Sequence, residues 1–258
     1  MACFKTAAAI CLVALSGLRS EATVTITHKL TVEEVTEDAY LVVNLARNGK
    51  LPVHINPVET SDSLVSSVQG KINEAGKQPA EGGCESVQIS ADLKNMFFHA
   101  FENAPETTPD YSQVLQDALT AGLSAFTEKR YPKTSEEWKT IWAKEAGASL
   151  GHLLGSNSTQ IGCAVGRCTE KKTIDEPESV EETKKNKAVL FCELSPATTK
   201  ETAPFEEEYF NGLIARTAQL SEMTADDLKA PSNNGTGAAL FPTILIYGLV
   251  LMLTAVSA

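Results

Sequence analysis

The chain has 258 residues and carries 22 Lys and Arg against 33 Asp and Glu, a formal charge of −11. Such a surface repels nucleic acid and anionic lipid, so no nucleic-acid partner is expected. The length suffices for one sizeable hydrophobic core.

In chain order, residues 1–22, "MACFKTAAAICLVALSGLRSEA", place Lys5 before an apolar run from Ala7 to Leu15. Ser20 and Ala22 then supply small residues at positions −3 and −1. The pattern is that of a secretory signal peptide cut after Ala22, with a cut near Ser16 as the alternative. Losing Lys5, Arg19 and Glu21 leaves the rest near −12.

"TVTITHKL" (23–30) alternates as a strand or extended arm. Thr31 and Glu34 form a capping-box pattern for a first helix, with Val35, Ala39, Val42 and Ala46 on one face. Gly49 and Pro52 end it. Residues 61–76 predict a second amphipathic helix, and "ADLKNMFFHAFENA" (91–104) and "DYSQVLQDALTAGLSAFT" (110–127) two more. Thr134 and Glu137 cap a helix carrying Trp138 and Trp142 at i and i+4, where a stacked pair serves core packing. "TQIGCAV" and "AVLFCEL" read as strands. The polar stretch between them, residues 169–187, reads as an exposed mobile loop. A last helix buries Phe205, Tyr209, Leu213 and Ile214, with Glu206–Glu208 in its first turn, where the helix dipole favours carboxylates. Beyond it lies a tether to Asn233.

Residues 234–258 follow small polar residues with an apolar tail and no Lys or Arg. That is the pattern of a GPI-attachment signal whose tail is removed, with Asn233 as the attachment residue, or Asn234 or Gly235 beside it; the alternative is a retained transmembrane helix. Asn157 and Asn234 open candidate N-glycosylation sequons. The expected organisation is 1–22 signal peptide, 23–204 main domain, 205–233 C-terminal helix and tether, and 234–258 attachment signal. Cys3 and Cys11 leave with the signal, so Cys84, Cys163, Cys168 and Cys192 remain. In an oxidising compartment they read as two disulfides, with three connectivities open. None of His28, His54, His99 and His152 is spaced with a cysteine pair as zinc requires. His28 and His54 read as lone residues, His99 as half-buried and hydrogen-bonded. Ser149 and His152, at i and i+3, raise a nucleophile–base reading, but no oxyanion loop or orienting acid accompanies them. No catalytic residue, metal or cofactor is assigned.

"SNSTQIGCAVGRC", followed by "AVLFCELSP", resembles the end of the CAP superfamily domain of cysteine-rich secretory proteins, insect venom antigens and plant pathogenesis-related proteins. "VNLARNGKLPVHINP" is similar to that family's first helix and turn through Asn44, Arg47, Gly49 and Pro52. The likeness covers roughly residues 31–76 and 134–196. Together with the two ends and the Phe205–Arg216 helix, the whole resembles the SAG surface antigens of Eimeria-type coccidian parasites, whose domain is CAP-like. The resemblance implies an α/β fold, an α-β-α sandwich with helices flanking a small, mainly antiparallel sheet, plus a C-terminal helical extension. It also implies the pairs Cys163–Cys192 and Cys84–Cys168. The metal-binding histidines of many CAP domains would fall on Val43 and Ser149, neither a competent ligand. The role implied is a non-enzymatic, GPI-anchored antigen on the outer leaflet of the plasma membrane, attaching to a host cell surface and met by host antibodies. Residues 169–187 are where contacts would lie. The alternative is a CAP-type carrier of a small lipid or sterol, with an apolar cleft between the helices.

Overall fold

The computed structural model describes residues 23–175 and 178–229. The expected signal peptide, the attachment signal, Asn233, Asn234 and Gly235 all lie outside the described residues.

The sheet is built from β1 (Val24–Glu33), β2 (Glu59–Thr60), β3 (Phe97–Glu102), β4 (Gln160–Asp175) and β5 (Glu178–Ser195). Its order is β1-β4-β5-β3, with antiparallel neighbours throughout that path, while the short β2 pairs parallel with the start of β4. Helices α1 (Glu37–Asn48), α2 (Asp62–Gly76), α3 (Ala91–Lys94), α4 (Tyr111–Leu123), α5 (Ser135–Trp142), α6 (Glu145–Leu153) and α7 (Glu207–Ala215) complete it. Alternation along the strands sends side chains to two cores. Ile161, Cys163 and Val165 of β4, with Leu190 and Leu194 of β5, meet residues of α1, α4, α5, α6 and α7. Ala164 and Phe191 face the other way, onto Val68 and Ile72 of α2 and Leu93 of α3. The three layers are those of the expected α-β-α sandwich. Gly162 permits the α2 side to close: a Cβ there would lie 2.2 Å from the Val65 nitrogen.

Helix α2 lies where the periodicity places it, and Thr134 and Glu137 form their capping box. Five expectations are corrected. Strand β1 runs through Glu33, so Thr31 caps nothing; its hydroxyl lies 2.7 Å from that of Thr169, and α1 starts after Thr36. Residues 91–104 form only the one-turn α3 and then β3, because Phe97 and Phe98 each enter a different core. The tryptophan-bearing helix breaks into α5 and α6. Its two indoles have separate partners: Trp138 meets Phe126, Tyr131 and Phe205 edge-on, and Trp142 meets His152. Residues 169–187 are not a loop over their described length but the outer half of a long β4–β5 hairpin. Finally, residues 216–229, the described part of the expected tether, are docked. Leu220 and Met223 are buried in the larger core, and Arg216 donates to the carbonyls of Leu45, Ala46 and Gly49 at the end of α1.

Candidate functional site

The hairpin outruns the helices. Its inner part, through Val165 and from Ala188, is core on both faces; its outer part pairs with β1 and, at its base only, with Glu102 and Asn103 through Lys187 and Asn186, and Glu178–Thr183 is exposed. This three-stranded arm needs no apolar stripe, because its strands are matched by backbone bonding and cross-strand charge. Lys171 lies opposite Glu182 and Lys172 opposite Glu181. Lys29 of β1 adds a 2.7 Å ion pair to Glu182, and Lys185 a 2.8 Å pair to Glu170. Exposed pairs of this kind contribute at most about 1 kcal/mol each, so they guide register more than they stabilise.

The arm is braced where it leaves the core. The structure joins Cys84 to Cys168, with Cα atoms 5.9 Å apart, tying the segment after α2 to β4. Cys163 and Cys192 lie directly opposite in the ladder and are joined at a Cα separation of 4.2 Å, both fully buried. Between the two bridges, at a register shift in β4, sits the buried Arg167. Its Nε donates to Glu33 at 2.8 Å, and its Nη1 donates to the carbonyls of Asn103 and Lys185. Burial pushes the Glu33 carboxyl up, but hydrogen bonds and charge from Arg167 and Lys184 outweigh it and hold the group below its ordinary value. A guanidinium suits this role, since its planar fork serves three acceptors from three chain segments. Sequence reading missed Arg167 and Glu33. The signal present was the charge pattern, Lys171-Lys172 answered by Glu181-Glu182 further along the chain, which marks paired strands rather than a loop.

Against the base of the arm lies an apolar recess of about 400 Å³. Leu30, Val87, Ile89, Phe101 and Val189 wall it together with the Cys84–Cys168 bridge and Lys187. It opens between the sheet and the 84–89 segment, not between helices as expected. Lys187 is paired with Glu85, and Lys184 with Glu33 and Glu106.

The histidines do not converge. His28 is buried on β1, with Nε2 3.5 Å from Glu170 and Nδ1 without a partner. His54 and His99 are half-buried, and burial depresses His99. Burial also holds His152 at about 4, so it is neutral; its Nδ1 lies 3.3 Å from the Thr198 hydroxyl and its Nε2 has no partner. Ser149 is occupied otherwise: its hydroxyl accepts from Phe98 N–H at 3.0 Å and donates to Phe98 C=O at 2.6 Å, clipping α6 to β3. The Ser149–His152 pair therefore forms no nucleophile–base contact. Val43 is fully buried. Among the described residues no three His, Cys, Asp or Glu cluster as metal ligands, and no helix is long and apolar enough to cross a membrane.

The first motif is architectural. The Asn44 side chain exchanges two hydrogen bonds with the Val58 backbone. The guanidinium of Arg47, buried completely, donates to the carbonyls of Leu153, Asn56, Gly155 and Ser158, and burial lowers its pKa to about 10. Arg47 thereby fastens α1 to the loop between α6 and β4. Glu207, in the first turn of α7, pairs with Lys133. Asn157 is exposed in a turn before β4.

The chain matches the family model of the sporozoite surface antigen (SAG) protein domain over residues 56–228. No curated protein matches it. Among solved structures it is similar to the Eimeria tenella surface antigen protein SAG19, at 18% identity and a TM-score of 0.44, over 73% of this chain and 98% of that one. It is also similar to BmVAL-1, at 12% identity and a TM-score of 0.35, over 66% of this chain and 78% of that one.

Proposed function

Because the chain belongs to the sporozoite surface antigen (SAG) family, and so to the antigens of a cell surface, we propose that it is a GPI-anchored, non-enzymatic attachment antigen. The exposed arm is its contact surface. The observation that carries this reading is the arm itself: two long strands extend past the core, rich in both signs of charge and braced by Cys84–Cys168 and Arg167. A braced surface loses little conformational entropy on contact, so a modest interface can still bind. Many copies on one outer leaflet would grip a host cell through multivalency although each contact is weak. The same exposed strands would meet host antibodies. The sequon at Asn157 is open to glycosylation, well apart in sequence from the arm's outer half.

The test has two stages. A phosphatidylinositol-specific phospholipase should release intact protein from cells expressing the full chain. Released protein, clustered on beads, should coat host cells, and reversing the exposed charges Glu178, Glu181 and Glu182 to Lys should cut bead binding at least about tenfold. Equal binding by the reversed arm would overturn the arm as contact surface; release failure would overturn the anchor alone.

The recess beneath Cys84–Cys168 supports a second reading, a carrier of a small lipid or sterol. Its volume falls within the range of small-molecule sites. Extraction of the native protein and mass spectrometry should then find a stoichiometric lipid, and Val189→Trp, which fills the recess, should remove it.

A further inference from the structure

The free edge of β1 has a property that the attachment reading leaves unused. Residues 23–27, "TVTIT", are five consecutive uncharged β-branched residues in a chain that is 21% charged. The Asp175 N–H donates to Thr23 C=O, and the register with β4 is unbroken, so the odd-numbered residues of β1 bond to β4. Even-numbered residues turn their N–H and C=O outward. His28 uses both of its groups on Ala80, at 2.8 Å each. Among the described residues, nothing bonds the corresponding groups of Val24 and Ile26. The two residues are also 48% and 46% exposed, among the largest apolar exposures of the described residues. Natural edge strands usually blunt such a row with charge, proline or a bulge, and none of these occurs from Thr23 to Thr27.

We propose that this edge pairs with the same edge of a second copy, antiparallel and two-fold about Thr25. The register follows from which groups are free. Hydrogen-bonded pairs must join outward-facing residues, and His28 is already used. Pairing Val24 with Ile26 of the second copy, and Ile26 with its Val24, uses both free residues on both chains and makes about four backbone bonds. A shift of one pair in either direction loses half of them or collides with Ala80. In this register Val24 and Ile26 of both copies form cross-strand pairs on one face. Ile174, opposite Val24 on β4, extends that face on each side. The two Thr25 residues meet on the other face, and no charged side chain lies at the seam. Two paired residues per copy bury far less than the roughly 1,000 Å² of a stable interface, so the contact is weak and favours crowded copies.

The test is a register-specific cross-link. At a non-hydrogen-bonded pair the Cα atoms lie about 4.5 Å apart, within disulfide range, so Thr25→Cys should give a disulfide-linked dimer of the purified native full chain. Thr27→Cys would stand about 14 Å from its counterpart and should cross-link at least tenfold less. Adding Ile26→Lys to Thr25→Cys should suppress the dimer to the Thr27→Cys level. A Thr25→Cys protein that retains both native disulfides and a reactive thiol yet stays monomeric would overturn the pairing, as would equal cross-linking at both positions. Should Thr25→Cys not fold, sedimentation of the unsubstituted chain against Ile26→Lys decides: no difference in self-association at high concentration overturns it.

Discussion

Removal of the bridge at the base of the arm, by Cys84→Ala with Cys168→Ala, tests the view that this disulfide acts mainly on the unfolded chain. It closes a loop of 84 residues, for which chain entropy gives about 4.6 kcal/mol; the 29-residue loop of Cys163–Cys192 gives about 3.6. Against a total domain stability of about 5–15 kcal/mol, the first figure is a large share. Urea unfolding can be followed by the fluorescence of Trp138 and Trp142, which are 5% and 9% exposed and should redden as water reaches them. With a slope of about 2 kcal/mol per molar, the midpoint should fall by about 2 M. The slope should also rise, because an uncrosslinked unfolded chain exposes more surface. A loss below about 2 kcal/mol with an unchanged slope would refute the unfolded-state account. The bridge would then be a local brace, visible only in faster hydrogen exchange of the arm.

Three further outcomes are expected. Arg47→Met strips partners from the buried carbonyls of Leu153, Gly155 and Ser158, at about 2 kcal/mol each, while relief of the buried charge returns about 3. A net loss of about 3 kcal/mol in urea unfolding should result, and a stabilised variant would show that the charge, not the carbonyls, dominates. His152 is depressed to about 4 against an ordinary 6.5, so its contribution is whole above pH 6.5 and drains as the unfolded chain takes up a proton on acidification toward pH 4. The sum is about 3 kcal/mol, and His152→Phe should flatten the fall of Tm between those limits; an unaltered profile would contradict the burial of a neutral ring. Ser149→Ala leaves both Phe98 backbone groups short of a partner and should cost about 1–3 kcal/mol, with Thr a poor rescue because its added methyl enters a buried site.

Where sequence reading failed, the cause is the sheet. β3 reads as a helix because its apolar residues do not alternate: Phe97, Phe98 and Phe101 fit a helical spacing, while Phe97 and Phe98 enter opposite cores. The outer hairpin reads as a loop because it has no core to face, so hydrophobic periodicity carries no signal there; its register is written in Lys171–Glu182 and Lys172–Glu181 instead. The Thr31–Glu34 capping box had the right residues, but ten ladder positions to β4 and the Glu33–Arg167 contact outweigh one helical turn. At the candidate site, Ser149 and His152 were visible as a pair, yet the neighbouring β3 backbone claims the serine.

The order of residues by itself determined the apolar cores of α2 and α4, the capping box at Thr134, the even cysteine count and the acidic surface, because each depends on near neighbours or on composition. Only the tertiary structure decided that Arg47 and Arg167 are buried and that a charged stretch stands as a paired arm. Those features depend on groups from distant segments meeting out of water, where a carbonyl or carboxylate without its partner is costly, and no local pattern records which segments will meet.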